Sequence, residues 1–541
     1  MKNIKITTAV LSLTMLFASV SCNRYLDINE DPNNISIDKV SPNELLPVGI
    51  TSAYAKQSQT LNRFASVVMN STAGNSLVYG APFIDDYKPN VSNTFYNDVW
   101  DSLFRATANF EKIITYNDPG NKYVQHKAIA KIMKANYVQI LTDLYGDIPY
   151  SQAFKGQDNL TPKYDKGEDI YKASIADLDN AIELLESGLG DASSSDIVFH
   201  GNAGKWISFA NTLKLRYLLR MSNVTGDMAA YRDQQLASLS GVDFIHEDVL
   251  ENPGYSAAND AQQNPFTNYY VYLSSGTRAA NYSINVASEH AAIILNGNSE
   301  GDTRPVYQKF NGIVDGRRSR MFSLVNGKVS GIRQGNLPGQ PGVPAAISRF
   351  SYGITVGAET PASTREYVEM ASAKSGCIMT RAESEFLQAE AALRYPSIFS
   401  GAQAHFEAGI TASYNYLGAN VDVVIDPNTN PVTTKKAALI YIDLINAVPK
   451  LGWIGTNDDK LEAIMTQKWI ALTGINPEQS FFDYTRTGFP VTPLATIASN
   501  PKPNRLIYPL SEYIGNASNV PAISNADVFS KNQYTPFWAR N

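Results

Sequence analysis

The apolar positions of this chain fall into helical stripes separated by long irregular stretches. Tyr171, Ile175, Leu178, Ile182 and Leu185 recur at the three-to-four spacing of one helix face. Asp165 and Glu168 precede them at the spacing of a capping box. After a break rich in Ser, Gly and Asp, a second stripe follows in Trp206, Ala210, Leu213, Tyr217 and Met221. Thr380 with Glu383 is read as the cap of a third helix carrying Ala382, Phe386, Ala389 and Leu393. Ser400 with Gln403 opens its partner, which runs to about Leu417. Two further pairs have the same texture, at about 92–116 with 124–145 and about 433–448 with 459–473. Paired helices of about 15–20 residues joined by short turns are the mark of tetratricopeptide-like hairpins. Simple amphipathic bundles give the same stripes. The expected fold is mainly α, with about four such hairpins supporting a loop-rich lobe that has little β structure.

Between Asn223 and Gly376 the stripes shorten and Gly, Pro, Asn and Ser become frequent. Gln334–Pro344 alone carries three glycines and three prolines. The segments 74–90 and 481–541 share this character. Irregular chain of such extent in a compact protein points to loops that bind something. The expected organisation is one continuous unit over 22–541. Its helical scaffold covers about 92–222 and 378–473, and its loop-rich lobe about 223–377 and 474–541.

The first residues are of another kind. Met1 to Lys5 is a short basic start, Ile6 to Val20 is apolar, and Ser21 is a small residue directly before Cys22. This is the pattern of a secretory signal over 1–21, cut before a lipid-bearing cysteine. The apolar run is shorter than the ~20 residues a membrane-spanning helix needs. Cleavage there leaves a thiol and an amino group to carry acyl chains, and more than one chain gives stable anchoring. Ser19 stands where lipoproteins usually carry Leu or Val, and a plain secretory signal with an incidental cysteine is the alternative. An acylated Cys22 leaves Cys377 without a disulfide partner, so Cys377 is expected to be a small buried residue.

Charge and chemistry narrow the function. A formal net charge of −6 without Lys/Arg runs argues against a nucleic-acid partner. Thirty tyrosines among 11% aromatics suit half-exposed surfaces that meet polar ligands. His126, His200, His246, His290 and His405 are scattered, so neither a metal nor a cofactor is expected. No phosphate loop is present. A glycosidase needs only two acids placed in three dimensions, so hydrolysis stays open on motif grounds, but the chain is read as a binding protein and not an enzyme. Asp483 and Arg486, flanked by Phe481, Phe482, Tyr484 and Phe489, are read as a partly buried structural ion pair. Glu383 is read as a capping residue, and Glu385 and Glu390 as outer-face or hairpin-tying groups. Trp100, Trp206 and Trp469 lie on stripes and are expected in the core.

Seven segments in order resemble one family. They begin with Tyr25-Leu26-Asp27-Ile28-Asn29-Glu30-Asp31-Pro32-Asn33 and Leu144-Tyr145-Gly146-Asp147-Ile148-Pro149-Tyr150, then Pro162-Lys163-Tyr164-Asp165 and Lys205-Trp206 to Arg216. Met379-Thr380-Arg381-Ala382-Glu383 to Ala391 follows, although Arg381 stands where Tyr is common. Gln467-Lys468-Trp469 to Leu472, and Asp483-Tyr484-Thr485-Arg486 to Pro490 with Tyr508-Pro509 and Glu512, complete the series. The chain resembles the SusD/RagB-like nutrient-binding outer-membrane lipoproteins of Bacteroidetes, in their second sequence group. The resemblance implies four tetratricopeptide-like hairpins and a partner, a SusC-like TonB-dependent transporter barrel. It also implies a surface-exposed, lipid-anchored lid that captures a glycan and delivers it for import. An oligopeptide cargo, or a scaffold without small ligand, are the alternatives.

A sugar ring lies its C–H groups against an aromatic face while its hydroxyls seek Asn, Asp or Arg. Two segments fit this demand: Asn75 with Tyr79, Phe83, Asp85 and Tyr87, and Asn264 with Tyr269, Tyr270, Tyr272, Arg278 and Tyr282. These eleven residues are the candidate ligand contacts.

Overall fold

The computed structural model describes residues 40–540. The expected signal over 1–21 and the lipid site at Cys22 lie outside them. Among the described residues, ten helices form the scaffold. They are α1 (Pro42–Lys56), α2 (Asn97–Ile114), α3 (Val124–Tyr145), α4 (Gly167–Glu186) and α5 (Ala203–Arg220). The second half adds α6 (Arg381–Arg394), α7 (Ala402–Tyr416), α8 (Ala437–Ile445), α9 (Asn457–Leu472) and α10 (Pro477–Thr487). The pairs α2/α3, α4/α5 and α6/α7 pack as the first three expected hairpins; α8 and α9 each pack on α7, with α9 resting more on α6, so the expected fourth pair joins the third hairpin and does not close on itself. The mainly helical class is what the stripes predict. Among the described residues, β structure is confined to two-stranded ladders and isolated bridges.

The helix α3 sits at the centre and is buried on nearly every face. A helix apolar all round suits that place, yet α3 also buries Lys134, Asn136, Gln139 and Asp143. Each meets a partner from another helix. Lys134 pairs with Glu111 at 2.8 Å, and Arg216 donates to Gln139 at 2.8 Å and to Asn136 at 2.7 Å. Polar atoms inside a core must be paired or cost free energy, so these bonds fix how the hairpins sit against one another. Trp100, Trp206 and Trp469 are in the core as expected, and one apolar cluster runs from Leu45 to Ala539. Cys377 is also buried, and desolvation pushes its thiol well above the usual range, which removes nucleophilic character.

Several local readings need correction. Asp165 does not cap α4; it lies in a short ladder and accepts from the Tyr150 and Ser151 amides at 2.9 and 2.8 Å. The start of α4 is held instead by Asp147, which accepts from the Gly167 amide at 3.0 Å. Thr380 caps α6, accepting from the Glu383 amide at 3.0 Å. The reciprocal arm is missing, because the Glu383 carboxylate is buried and faces Arg216 at 3.4 Å. Gly401, not Ser400, precedes α7, with a left-handed φ of 78°. Thr433–Lys436 forms a strand with Asp422–Asp426 before α8 begins, since β-branched Thr433 and Thr434 favour the extended chain. The helix α10 begins at Pro477 and runs to Thr487, into the stretch read as irregular from 481.

The helix α1 and its continuation are not foreseen by the stripe analysis. Ser41 and Glu44 form a full capping box with Pro42 at the first helical position. A π-helical turn at Gln57–Leu61 follows, and Asn62–Val68 resumes the α-helix. Gln57 in that turn is buried and donates to Ile378 O, Asn476 and Glu478 at 3.2, 3.0 and 3.2 Å. The extra residue of a π-turn re-aims side chains, and here it directs an amide into the scaffold.

Glu478 is fully buried at the start of α10, and burial pushes its carboxyl up to about 8. Burial also pushes Glu251 up to about 7. A carboxyl raised in the fold holds a proton that the unfolded chain, titrating near ~4.3, has already released. The fold therefore binds more protons than the unfolded chain between those values, and stability falls as pH rises through that window. Glu478→Gln keeps the shape without the ionisable group. Thermal melts from pH 5 to pH 8 are expected to show a smaller loss of stability in Glu478→Gln than in the parent chain. Equal slopes would mean that Glu478 is ionised in the fold.

Candidate ligand-binding face

Thr72–Gly74 pairs antiparallel with Asn285–Ala287, in the register Thr72 to Ala287 and Gly74 to Asn285. This short ladder brings together the two aromatic segments that sequence reading picked out separately. Asn75 closes the ladder. Its amide donates to Ile284 O at 2.8 Å, its side-chain Nδ2 donates to Ser283 O at 2.9 Å, and its Oδ1 accepts from the Leu77 amide at 3.2 Å. The helical turn Ser76–Tyr79 therefore lies against the turn Ala280–Ile284. Asn75 is buried and satisfied, so it is a clasp between segments and not an open polar contact.

The other candidates divide by exposure. Tyr79 is 45% exposed, and Arg278 and Asp85 are exposed as well, while Phe83, Tyr269 and Tyr282 are half-buried. Asp85 accepts from Asn90 at 3.1 Å. Tyr87, Asn264, Tyr270 and Tyr272 are buried. The Tyr87 hydroxyl accepts from the Gly74 amide at 2.6 Å, and the Tyr270 hydroxyl donates to Gln59 O at 2.9 Å. Asn264 caps the turn Pro265–Tyr270, accepting from the Phe266 and Thr267 amides, and donates to Lys374 O at 2.9 Å. These four hold the loops in shape. Their lack of accessible surface removes them from direct contact with a ligand.

Below the exposed rim lies a hollow of about 240 Å³. Gly74, Pro82 and Ile84 form one wall, and Ile332, Asn336 and Leu337 of the Gly/Pro-rich loop form the other. A Cβ on Gly74 would stand 2.6 Å from Pro82 Cγ, so the wall closes only around glycine. Leu77, Val78, Tyr79, Ile84 and Leu337 leave apolar surface exposed around it. On the far side of the same loop, a wider cleft of about 920 Å³ is lined by Glu289, Asn296, Lys328 and Gly342. Its Glu289 receives Arg333 bidentately at 2.7 Å for each bond, and Arg304 at 3.0 Å. Neither Asn336 nor Leu337 was singled out from sequence, although the density of Gly and Pro over 334–344 marks their loop.

Arg63 underpins the rim. It donates to the Tyr269 hydroxyl at 3.0 Å and to the Tyr96 hydroxyl at 3.3 Å, and stands 5.3 Å from the Tyr96 ring centroid and 5.8 Å from that of Phe83. Tyr96 in turn donates to Asp86 at 2.8 Å. Burial raises the Asp86 carboxyl to about 6, against the pull of Tyr96 and Arg63 in the other direction. Across the ladder, the Arg278 guanidinium lies between two rings, 3.8 Å from the centroid of Tyr272 and 4.0 Å from that of Tyr282. Among the described residues, no group of three or more His, Cys, Asp or Glu side chains is arranged to hold a metal. No described helix is long and apolar enough to cross a membrane.

The helical hairpins carry an aromatic, loop-built face that is separate from their core. The SusD-like family described as "starch-binding associating with outer membrane" matches residues 32–509, and the chain belongs to it. Solved structures share the fold. A chitin-binding SusD homolog from Flavobacterium johnsoniae is 21% identical over 88% of this chain and 94% of its own, with a TM-score of 0.62. A SusD homolog from Bacteroides uniformis is 22% identical over 92% of this chain and 99% of its own, again at 0.62. One from Bacteroides thetaiotaomicron is 20% identical over 92% and 99%, at 0.61. No curated protein sequence matches the chain.

Proposed function

We propose that this protein is a surface lipoprotein, anchored through Cys22, that captures a glycan and delivers it to a TonB-dependent outer-membrane barrel without making or breaking a bond. Residues 22–541 act as one unit in this reading, with the helices as scaffold and the loops as the capturing face. The observation that carries it is Tyr79, 45% exposed on a turn whose Ser76 and following Gly80 line the 240 Å³ hollow. An exposed aromatic face, with Lys88 in the lining of the adjoining hollow, offers stacking and a hydrogen-bond donor together. Membership of a family described as starch-binding, and a fold shared with a chitin-binding homolog, favour sugar over peptide.

The test is calorimetric titration of the detergent-purified full chain against panels of oligosaccharides and short peptides. Heat is expected with one oligosaccharide class, and Tyr79→Ala is expected to weaken that binding at least tenfold. Binding of peptides alone would replace the glycan reading with an oligopeptide importer. Silence from both panels, repeated with the co-purified barrel, would leave an assembly scaffold.

A further inference from the structure

We infer that the captured glycan is anionic, bearing carboxylate or sulfate groups that Arg278 receives; this rests on the glycan reading above and deepens it. The stack around Tyr282 is the ground for it. Arg278 is held face-on between Tyr272 and Tyr282, and a second guanidinium, Arg349, stands 5.1 Å from the same Tyr282 centroid. Arg349 spends one nitrogen on the carbonyls of Tyr282 and Ser283, at 2.9 and 3.3 Å. Arg278, among the described residues, makes no ion pair and donates no hydrogen bond. Its faces are covered by rings, so its edge of N–H donors is what remains to meet solvent.

A protein surface normally answers such an arginine with a carboxylate, and this one has none to offer nearby in sequence. Between Asp260 and Glu289 the chain contains no acidic residue, and Asp260 itself accepts from the Ser274 amide and hydroxyl at 2.8 and 2.7 Å. The stretch 316–358 carries six basic residues and again no acid, in a chain whose net charge is −6. Of those six, Arg317, Lys328 and Arg333 are spent on Asp315, Glu300 and Glu289. Arg349 is not. Two cations on one ring repel each other, and a bound anion would relieve that repulsion. The guanidinium fork matches a carboxylate or sulfate through paired, charge-assisted hydrogen bonds. Stacking against two rings also limits the rotamer entropy that binding would otherwise cost. Tyr282 adjoins the Ser283 carbonyl that Asn75 grips, so the Arg278 stack is tied to the segment that carries Tyr79.

The experiment compares charged oligosaccharides with their neutral counterparts on the full chain: oligogalacturonate against its methyl ester, and a sulfated oligosaccharide against its desulfated form. One charged form is expected to bind at least tenfold more tightly than its neutral partner, with the gap shrinking as salt is added. Arg278→Gln is expected to close that gap, and Arg278→Lys to restore part of it. Arg278 is exposed, and matching thermal melts of the variants establish that they fold. Equal binding of charged and neutral forms, or a gap that survives Arg278→Gln, overturns the inference and leaves the glycan reading standing. Binding of acidic peptides in place of sugars, or of neither, overturns both.

Discussion

Arg486→Met is expected to lower the stability of the fold by about 3–5 kcal/mol, the cost of leaving buried charges without their partner. Arg486 is buried and bidentate on Glu390, at 2.5 and 2.8 Å, and also reaches Asp483 at 3.2 Å. Asp483 meets Lys468 at 2.8 Å and Arg220 at 3.2 Å, and Arg220 continues to Asp143 at 3.1 Å. Asp143 accepts from the indole of Trp538 at 2.8 Å and from the Tyr171 hydroxyl. One polar chain thus crosses α3, α4, α5, α6, α9, α10 and the C-terminal turn. Burial alone would raise the Asp483 carboxyl, but Lys468, Arg220 and Arg486 outweigh it and hold it well below the usual carboxylate range. A carboxyl depressed in this way contributes stability that is present above the ordinary carboxylate pKa and is lost as pH falls through the folded value. Asp483→Asn should therefore flatten the acid limb of the stability profile as well as lower the plateau. Denaturant melts of Arg486→Met within 1 kcal/mol of the parent would show that the network is dispensable.

Tyr270→Ala and Tyr79→Ala are expected to fail in opposite ways. Tyr270 packs against Phe266, Tyr269 and Phe350, with ring centroids at 4.8, 4.9 and 5.8 Å, and only 2% of it is exposed. Its removal opens a cavity and costs about 3–5 kcal/mol, as for other large aromatics in cores. It also strands the Gln59 carbonyl that the hydroxyl serves. Tyr79 has no such packing, so Tyr79→Ala should leave the melting temperature within a degree or two while weakening ligand binding. A loss of sugar affinity in Tyr270→Ala would thus report a damaged fold, and only the Tyr79 variant reads the face itself. Reversal of the two effects would place the binding surface on the other side of the Pro265–Tyr270 turn.

The contrast between these tyrosines marks where sequence reading stops. Helical stripes are legible because burial and period coincide: Trp206, Ala210, Leu213 and Tyr217 face one way and are all in the core. The ends of α3 match the expected 124–145. No period governs the loops. Tyr79 and Tyr87 share a short irregular segment, yet one is open and the other buried on Gly74, and only the ladder to Asn285–Ala287 decides between them. Asn75 and Asn264 look like sugar contacts by composition, but both cap short helical turns. For Asn264 the following Pro265, at the first helical position, was a readable sign of that role. The start of α1 was equally readable in Ser41 and Glu44. The length of α10 was not, because its Asp483 and Arg486 break the apolar stripe and are answered only by residues from distant helices.

The Asn75 clasp has a consequence for how such a protein diversifies. Everything that shapes the face, from the ladder to the clasp to the buried Tyr87 and Asn264, is paid into the fold before any cargo arrives. Tyr79 stands exposed on that frame, and Arg278 touches it through the Tyr272 and Tyr282 rings. On the proposed glycan-binding role, exchanging these exposed side chains re-addresses the surface at little risk to the frame beneath, much as a lettered tile can be changed in a fixed rack.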